Sequence, residues 1–239
     1  MRAIRFVAAF LLGAISGLTA SATELHVLAA DLPPFSMQAE GAGFNHELTA
    51  LAVERAGYTL KVKYLPWQRA QKMIMEGEDY LSFNLTRTQV REPHYSWIAP
   101  LIDYQNVFVT TSAQIDGFEE AAAFGAVLVR DGTPQLRHLL SAGIDPIRTN
   151  GLDMSLRMIE RGRPVVWYTN NRRATWAWRH FDLTSSPVFG TPLTGGTLYL
   201  AASPSFPKEI ARDLALALED LRADGTYDAL MVKYFGVAE

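Results

Sequence analysis

The sequence predicts an α/β protein of two lobes, each built on a mainly parallel sheet flanked by helices. Strand-like and helix-like stretches alternate from residue 25 onward, and a second alternating series of similar size follows a strand at residues 106–111. Two such series joined in the middle argue for two lobes, because each β-α-β step implies parallel strands with a crossover helix between them.

In the first series, residues 25–30 form an apolar run that stops at Asp31-Leu32-Pro33-Pro34, as a buried strand does on meeting a loop. Asn45 is placed to cap a helix with Leu48, Leu51, Ala52 and Val53 on its apolar face and Gly57 as its stop. Leu60, Val62 and Tyr64 alternate with Thr59, Lys61 and Lys63, the two-residue period of a strand. Pro66 opens a second helix whose face carries Trp67, Ala70, Met73 and Ile74, and Gly77 ends it. Residues 80–85 read as a third strand.

In the second series, residues 125–129 form a strand, and Gly132-Thr133-Pro134 opens a helix running to about residue 140. Asp153 caps another, built on Leu156 and Ile159. Residues 165–168 are a strand, and Asn170 or Asn171 starts a helix through Trp178. Beyond it lie a strand at 197–201, an amphipathic helix over 206–222 and a final helix over 226–234, with Thr226 as its N-cap.

The N-terminus is laid out as a cleavable secretory signal. Arg2 and Arg5 precede an apolar run over residues 6–18, and Ala20-Ser21-Ala22 supplies a small-x-small cut site before Thr23. That run is too short for the ~20 residues of a spanning helix. Residues 1–22 are therefore expected to be removed, leaving a secreted chain that does not insert into the membrane. The sequence contains no cysteine, so neither a disulfide nor a lipid-modified cysteine is expected. Removing Arg2 and Arg5 leaves 20 basic and 25 acidic residues, and scattered charge of this sign offers no stripe for nucleic acid.

Three stretches resemble the solute-binding protein family 3, the polar-amino-acid-type periplasmic binding proteins of ABC importers. They are Gly43-Phe44-Asn45-His46-Glu47-Leu48, the segment Asn84-Leu85-Thr86-Arg87-Thr88-Gln89-Val90-Arg91, and Leu221-Arg222-Ala223-Asp224-Gly225-Thr226-Tyr227 with Lys233-Tyr234-Phe235-Gly236 behind it. The resemblance implies lobe 1 from residues 23–106 plus 196–239, lobe 2 from 111–194, and a hinge of two crossing strands. It implies a ligand in the cleft between them, lobe closure, an ABC permease as partner, a periplasmic location and no cofactor or metal. A monomer is expected.

Through the same resemblance Arg91 becomes the holder of a ligand carboxylate, a role that suits a planar guanidinium making two charge-assisted hydrogen bonds. The alternative is a surface ion pair with Glu92. Asn84 and Thr86 become small polar contacts from lobe 1. Thr133 lies at a segment similar to the family's Gly-Thr-Thr helix start, except that Pro134 removes one hydroxyl and one N–H donor. With Gly162-Arg163 and Ala174 lined up, Asn170 falls where amino-acid binders carry an aspartate for the ligand ammonium. An ammonium buried there without a counter-charge is costly, which predicts a carboxylate or neutral polar ligand over an ordinary amino acid. Trp67 and Phe35 are candidate aromatic walls, and Asp31 a further polar contact.

An enzyme is not expected. His46-Glu47 begins like a zinc-protease motif but Ala50 stands where the second histidine belongs, and there is no nucleophile elbow or phosphate loop. Two other readings share the fold. One is a ligand sensor or orphan binding protein without a permease. The other is a cyclohexadienyl dehydratase-like enzyme, disfavoured because Asn170 supplies no acid or base.

Overall fold

The computed structural model describes residues 22–161 and 164–237, so the proposed signal at 1–22 lies almost wholly outside the described residues, as does Gly162-Arg163. Lobe 1 begins with β1 (Glu24–Ala29), α1 (Phe44–Arg55), β2 (Thr59–Tyr64), α2 (Trp67–Glu76) and β3 (Tyr80–Thr86). Strand β4 (Ser96–Thr110) then leads into α3 (Phe118–Phe124), β5 (Ala126–Arg130), α4 (Pro134–Ser141), β6 (Ile147–Thr149), α5 (Leu152–Glu160), β7 (Val165–Asn170) and α6 (Asn171–His180). The chain ends with β8 (Val188–Phe189), β9 (Thr194–Ala202), α7 (Lys208–Ala223) and α8 (Thr226–Phe235).

The strands form one continuous hydrogen-bonded path, β2-β1-β3-β9-β4-β7-β5-β6, with β8 on β4. The β1, β2 and β3 pairings are parallel, as are β5 with β6 and β7. Between these groups β9 runs antiparallel to β3 and β4, and β4 antiparallel to β7. The long β4 therefore serves both halves: its first residues pair only with β9, and residues 106–109 pair with β7. Two sheets were expected; the β4–β9 ladder joins them into one.

Side chains alternate between layers along each central strand, as the pleat demands. Leu25, Val27 and Ala29 of β1 enter one core cluster, and Leu28 enters another beneath α2. On β4, Val107 and Val109 face α5 and α6 whereas Phe108 faces α3 and α4. The first lobe's main cluster draws on residues 25–104 and 198–235, and both clusters of the second lobe draw their buried residues from 107–177.

The first and third sequence signatures turn out to be one structural unit. Phe44 packs edge-on against Tyr227 and Tyr234, with centroids 5.4 and 6.2 Å away. The Tyr234 hydroxyl donates to Glu47 at 2.6 Å and accepts from the Gly43 N–H at 2.9 Å, while Lys233 reaches the other Glu47 oxygen. Helix α8 is thus fastened to the start of α1, which ties the far end of the chain into lobe 1.

Several helix starts differ from expectation. Asn45 does not cap α1; Gly43 holds that position, and the Asn45 amide points inward to the Phe83 carbonyl and Asn84. Gly151, not Asp153, precedes α5, and Gly225, not Thr226, precedes α8. The α1 stop is as expected: Gly57 has φ 83°, with Tyr58 N–H on Val53 and Gly57 N–H on Glu54. Helix α3 and the short β6 and β8 had no clear sequence signal. Among the described residues no helix is long and apolar enough to cross a membrane.

Candidate functional site

The C-terminal ends of β1, β3, β5 and β7 converge on one cleft between the lobes, where open α/β sheets place their ligands. Ala30 follows β1, Thr86 ends β3, Arg130 ends β5 and Asn170 ends β7, and all four line the cleft. The space among its lining residues, with open solvent at the mouth included, is about 630 Å³.

Six of the eight residues singled out from the sequence line this cleft: Arg91, Thr86, Asn84, Thr133, Asn170 and Trp67. Arg91 is buried, donating from Nη1 to the Thr86 carbonyl at 3.1 Å and from Nη2 to Gln71 at 2.7 Å. The ion pair with Glu92 does not form; Glu92 binds Arg87 on the outer surface. Burial pulls the Arg91 guanidinium below its ordinary pKa, since desolvation penalises the cation. The Thr86 hydroxyl meets the Tyr104 hydroxyl at 3.0 Å. Asn84 lines the cleft with both polar atoms already engaged, its oxygen with Asn45 and its nitrogen with Ser36.

In lobe 2, Asn170 caps α6, its oxygen accepting the Arg173 N–H at 2.7 Å, so folding fixes its orientation. Thr133 donates its hydroxyl proton to the Arg130 carbonyl at 2.7 Å, which leaves that oxygen as an acceptor only. Trp67 spans the mouth, donating from Nε1 to the Gly132 carbonyl at 3.3 Å. Beside it Gln68 reaches Asp131 at 2.9 Å and Arg130 reaches the Asp31 carbonyl at 3.0 Å.

Phe35 and Asp31 stand elsewhere. Phe35 does not wall the cleft; fully buried, it packs with Phe44 and Phe235 in the first lobe's core, because the Pro33-Pro34 turn folds it inward. Asp31 is exposed on a neighbouring outer groove, its carboxylate accepting the Gln38 N–H.

Among the lining residues not chosen as site residues from the sequence are Tyr104, Gln135, Arg130 and Arg173. Tyr104 comes from β4, and Gln135 from the first turn of α4, where its Nε2 bonds Asn106 at 2.8 Å and its Oε1 is buried without a partner. Arg173 is 5% exposed, its Nε is buried without a partner, and burial followed by repulsion from Arg130 holds its pKa well below the ordinary value. Arg130 is half-buried, with its Nη1 buried and unpartnered. Both were findable: Arg130 sits at a strand end three residues before Thr133, and Arg173 one helical turn after Asn170.

Comparison with known proteins places this geometry. The sequence model of the bacterial extracellular solute-binding proteins, family 3, matches residues 26–156. The chain belongs to that family. No curated protein matches it. Among solved structures, this family-3 chain is similar to an ABC uptake transporter substrate-binding protein from Streptococcus pneumoniae with bound histidine (14% identity, 90% of this chain and 94% of that one covered, TM-score 0.79). It is also similar to a histidine kinase sensor domain with similarity to periplasmic binding proteins (20% identity, 90% and 97% covered, TM-score 0.77). A third is an ancestral amino acid-binding protein, a precursor of cyclohexadienyl dehydratase (18% identity, 89% and 95% covered, TM-score 0.76). At these identities the likeness establishes the two-lobed fold, and function has to be argued from the site.

Proposed function

We propose that this chain is a periplasmic solute-binding protein that captures a small polar, carboxylate-bearing solute by lobe closure and presents it to an ABC permease. The observation that carries the reading is Arg91, a buried guanidinium at the floor of a cleft lined by the strand ends of both lobes. A bidentate carboxylate would satisfy it where water is largely excluded. Lobe 1 comprises residues 23–106 and 196–239, lobe 2 residues 111–194, and β4 and β9 act as the hinge. Closure makes and breaks the Trp67–Gly132, Gln68–Asp131 and Arg130–Asp31 bonds across the mouth. Residues 1–22 direct export, and the exported protein is a monomer.

The role proposed is binding and not catalysis: three guanidinium groups line the cleft and suit an anion that is held. The likeness to a sensor domain supports a second reading, in which closure is read by a signalling partner instead of a permease.

A solute panel read by thermal shift and small-angle scattering tests the proposal. A solute at 100 times its Kd adds about 2.7 kcal/mol to stability, and the same solute should reduce the radius of gyration. Binding without compaction would remove lobe closure from the account.

A further inference from the structure

We infer that the cleft is built for a solute with two separate anionic groups and no ammonium, such as a small dicarboxylate. This deepens the reading above and rests on it. The cleft holds three guanidinium groups, Arg91 from lobe 1 and Arg130 and Arg173 from lobe 2. They form two poles. Arg130 at the end of β5 and Arg173 in the first turn of α6 repel one another, whereas Arg91 follows β3 on the other lobe.

The lobe 2 pole is only partly satisfied by the protein, through the Arg130 bond to the Asp31 carbonyl. Arg173 Nε and Arg130 Nη1 are buried donors without acceptors, and a buried unpaired donor on a cation is costly to leave so. The acid whose charge bears on both is Asp31, which is exposed, lies outside the lining and already accepts the Gln38 N–H. The Asn170 oxygen is spent on capping α6, and the acceptors left among the lining residues, the Thr133 hydroxyl and Gln135 Oε1, are neutral and offer an ammonium no counter-charge. An amino-acid zwitterion would therefore neutralise one pole and set its own cation against the other. A dianion neutralises both. It also removes the repulsion between lobes that carry like charge into a shared cleft, so the ligand's second charge would drive closure as well as affinity.

Isothermal titration calorimetry of the exported chain with succinate, citrate, propionate, L-glutamine and L-arginine at neutral pH tests this. At least one of succinate and citrate should bind about 10- to 100-fold more tightly than propionate and than either amino acid, the worth of one extra set of charge-assisted bonds. In Arg173→Gln the advantage of the polycarboxylate over propionate should fall by about tenfold; Arg130→Gln serves the same test should Arg173→Gln fail to fold. Tighter binding of either amino acid than of both polycarboxylates, or an advantage unchanged in both variants, overturns the dianion assignment and leaves a solute-binding function standing. No heat from any of the five at millimolar concentration counts against the assignment and the binding reading together.

Discussion

Replacing Arg91 with methionine separates a ligand clamp from a structural arginine. In the free protein the side chain makes two hydrogen bonds, to the Thr86 carbonyl and to Gln71. Losing both removes roughly 1–3 kcal/mol. Against that, burial disfavours the Arg91 cation, and an apolar chain of similar length no longer bears this desolvation cost. The Gln71 amide is half-buried and can turn to water. The two effects offset one another, so the unliganded melting temperature should move by no more than about 5 °C. Binding behaves differently. Each charge-assisted bond to a carboxylate contributes about 1.5–3 kcal/mol, so Arg91→Met should weaken the solute about 10- to 100-fold per bond lost. Calorimetry and a thermal melt on the same preparation read the two quantities. Affinity within about threefold of the native value, together with a melt lowered by more than about 5 °C, would refute the reasoning and make Arg91 a structural residue.

Other perturbations follow from the same contacts. Gly196→Ala should weaken binding without unfolding the protein, because a Cβ there would clash with the buried Tyr104 hydroxyl and push it off Thr86; calorimetry reads the loss and circular dichroism the intact fold. Tyr234→Phe removes one bond to Glu47 and one from Gly43, and urea denaturation should show a destabilisation of about 1–3 kcal/mol with solute affinity unchanged. Burial depresses the His46 pKa below 6.5, so the unfolded chain takes up that proton first; stability should decline as pH falls through 6.5, and the decline should be smaller in His46→Gln. Trp67→Phe with Gln68→Ala deletes two bonds across the mouth and should raise Kd by about tenfold in calorimetry.

Much of the fold was legible because its elements are short and strongly periodic. The alternation over residues 59–64 and the Pro66–Gly77 bracket around α2 each point to one structure, and the strand ends they define locate the cleft. Helix starts were less legible. Asn45 has a capping residue's chemistry, yet its amide is worth more inside, bonded to Phe83 and Asn84, than at a helix end that Gly43 can begin. Phe35 shows the same limit: an aromatic after two prolines looks like a cleft wall until the core behind it is known. The last part of β4 was read as a strand at 106–111, but its first ten residues escaped because Pro100 and the bulges on either side of it blur the two-residue period there. Arg130 and Arg173 each carry a signal by position, but their pairing needed the topology, since only the fold brings the end of β5 beside the start of α6.

The first lobe's main core cluster takes residues from both ends of the described chain, whereas the second lobe's buried clusters lie within residues 107–177. Emerging N-terminus first from a ribosome or a translocation pore, the polypeptide holds every part of that second core while Leu198, Leu200 and Phe206 are still to come. Until they arrive, Val27, Leu81 and Leu101 lack their partners and expose a greasy, half-built sheet. The order of emergence therefore sets the order of assembly, and the interval before the last forty residues appear is when a holding chaperone has most to cover.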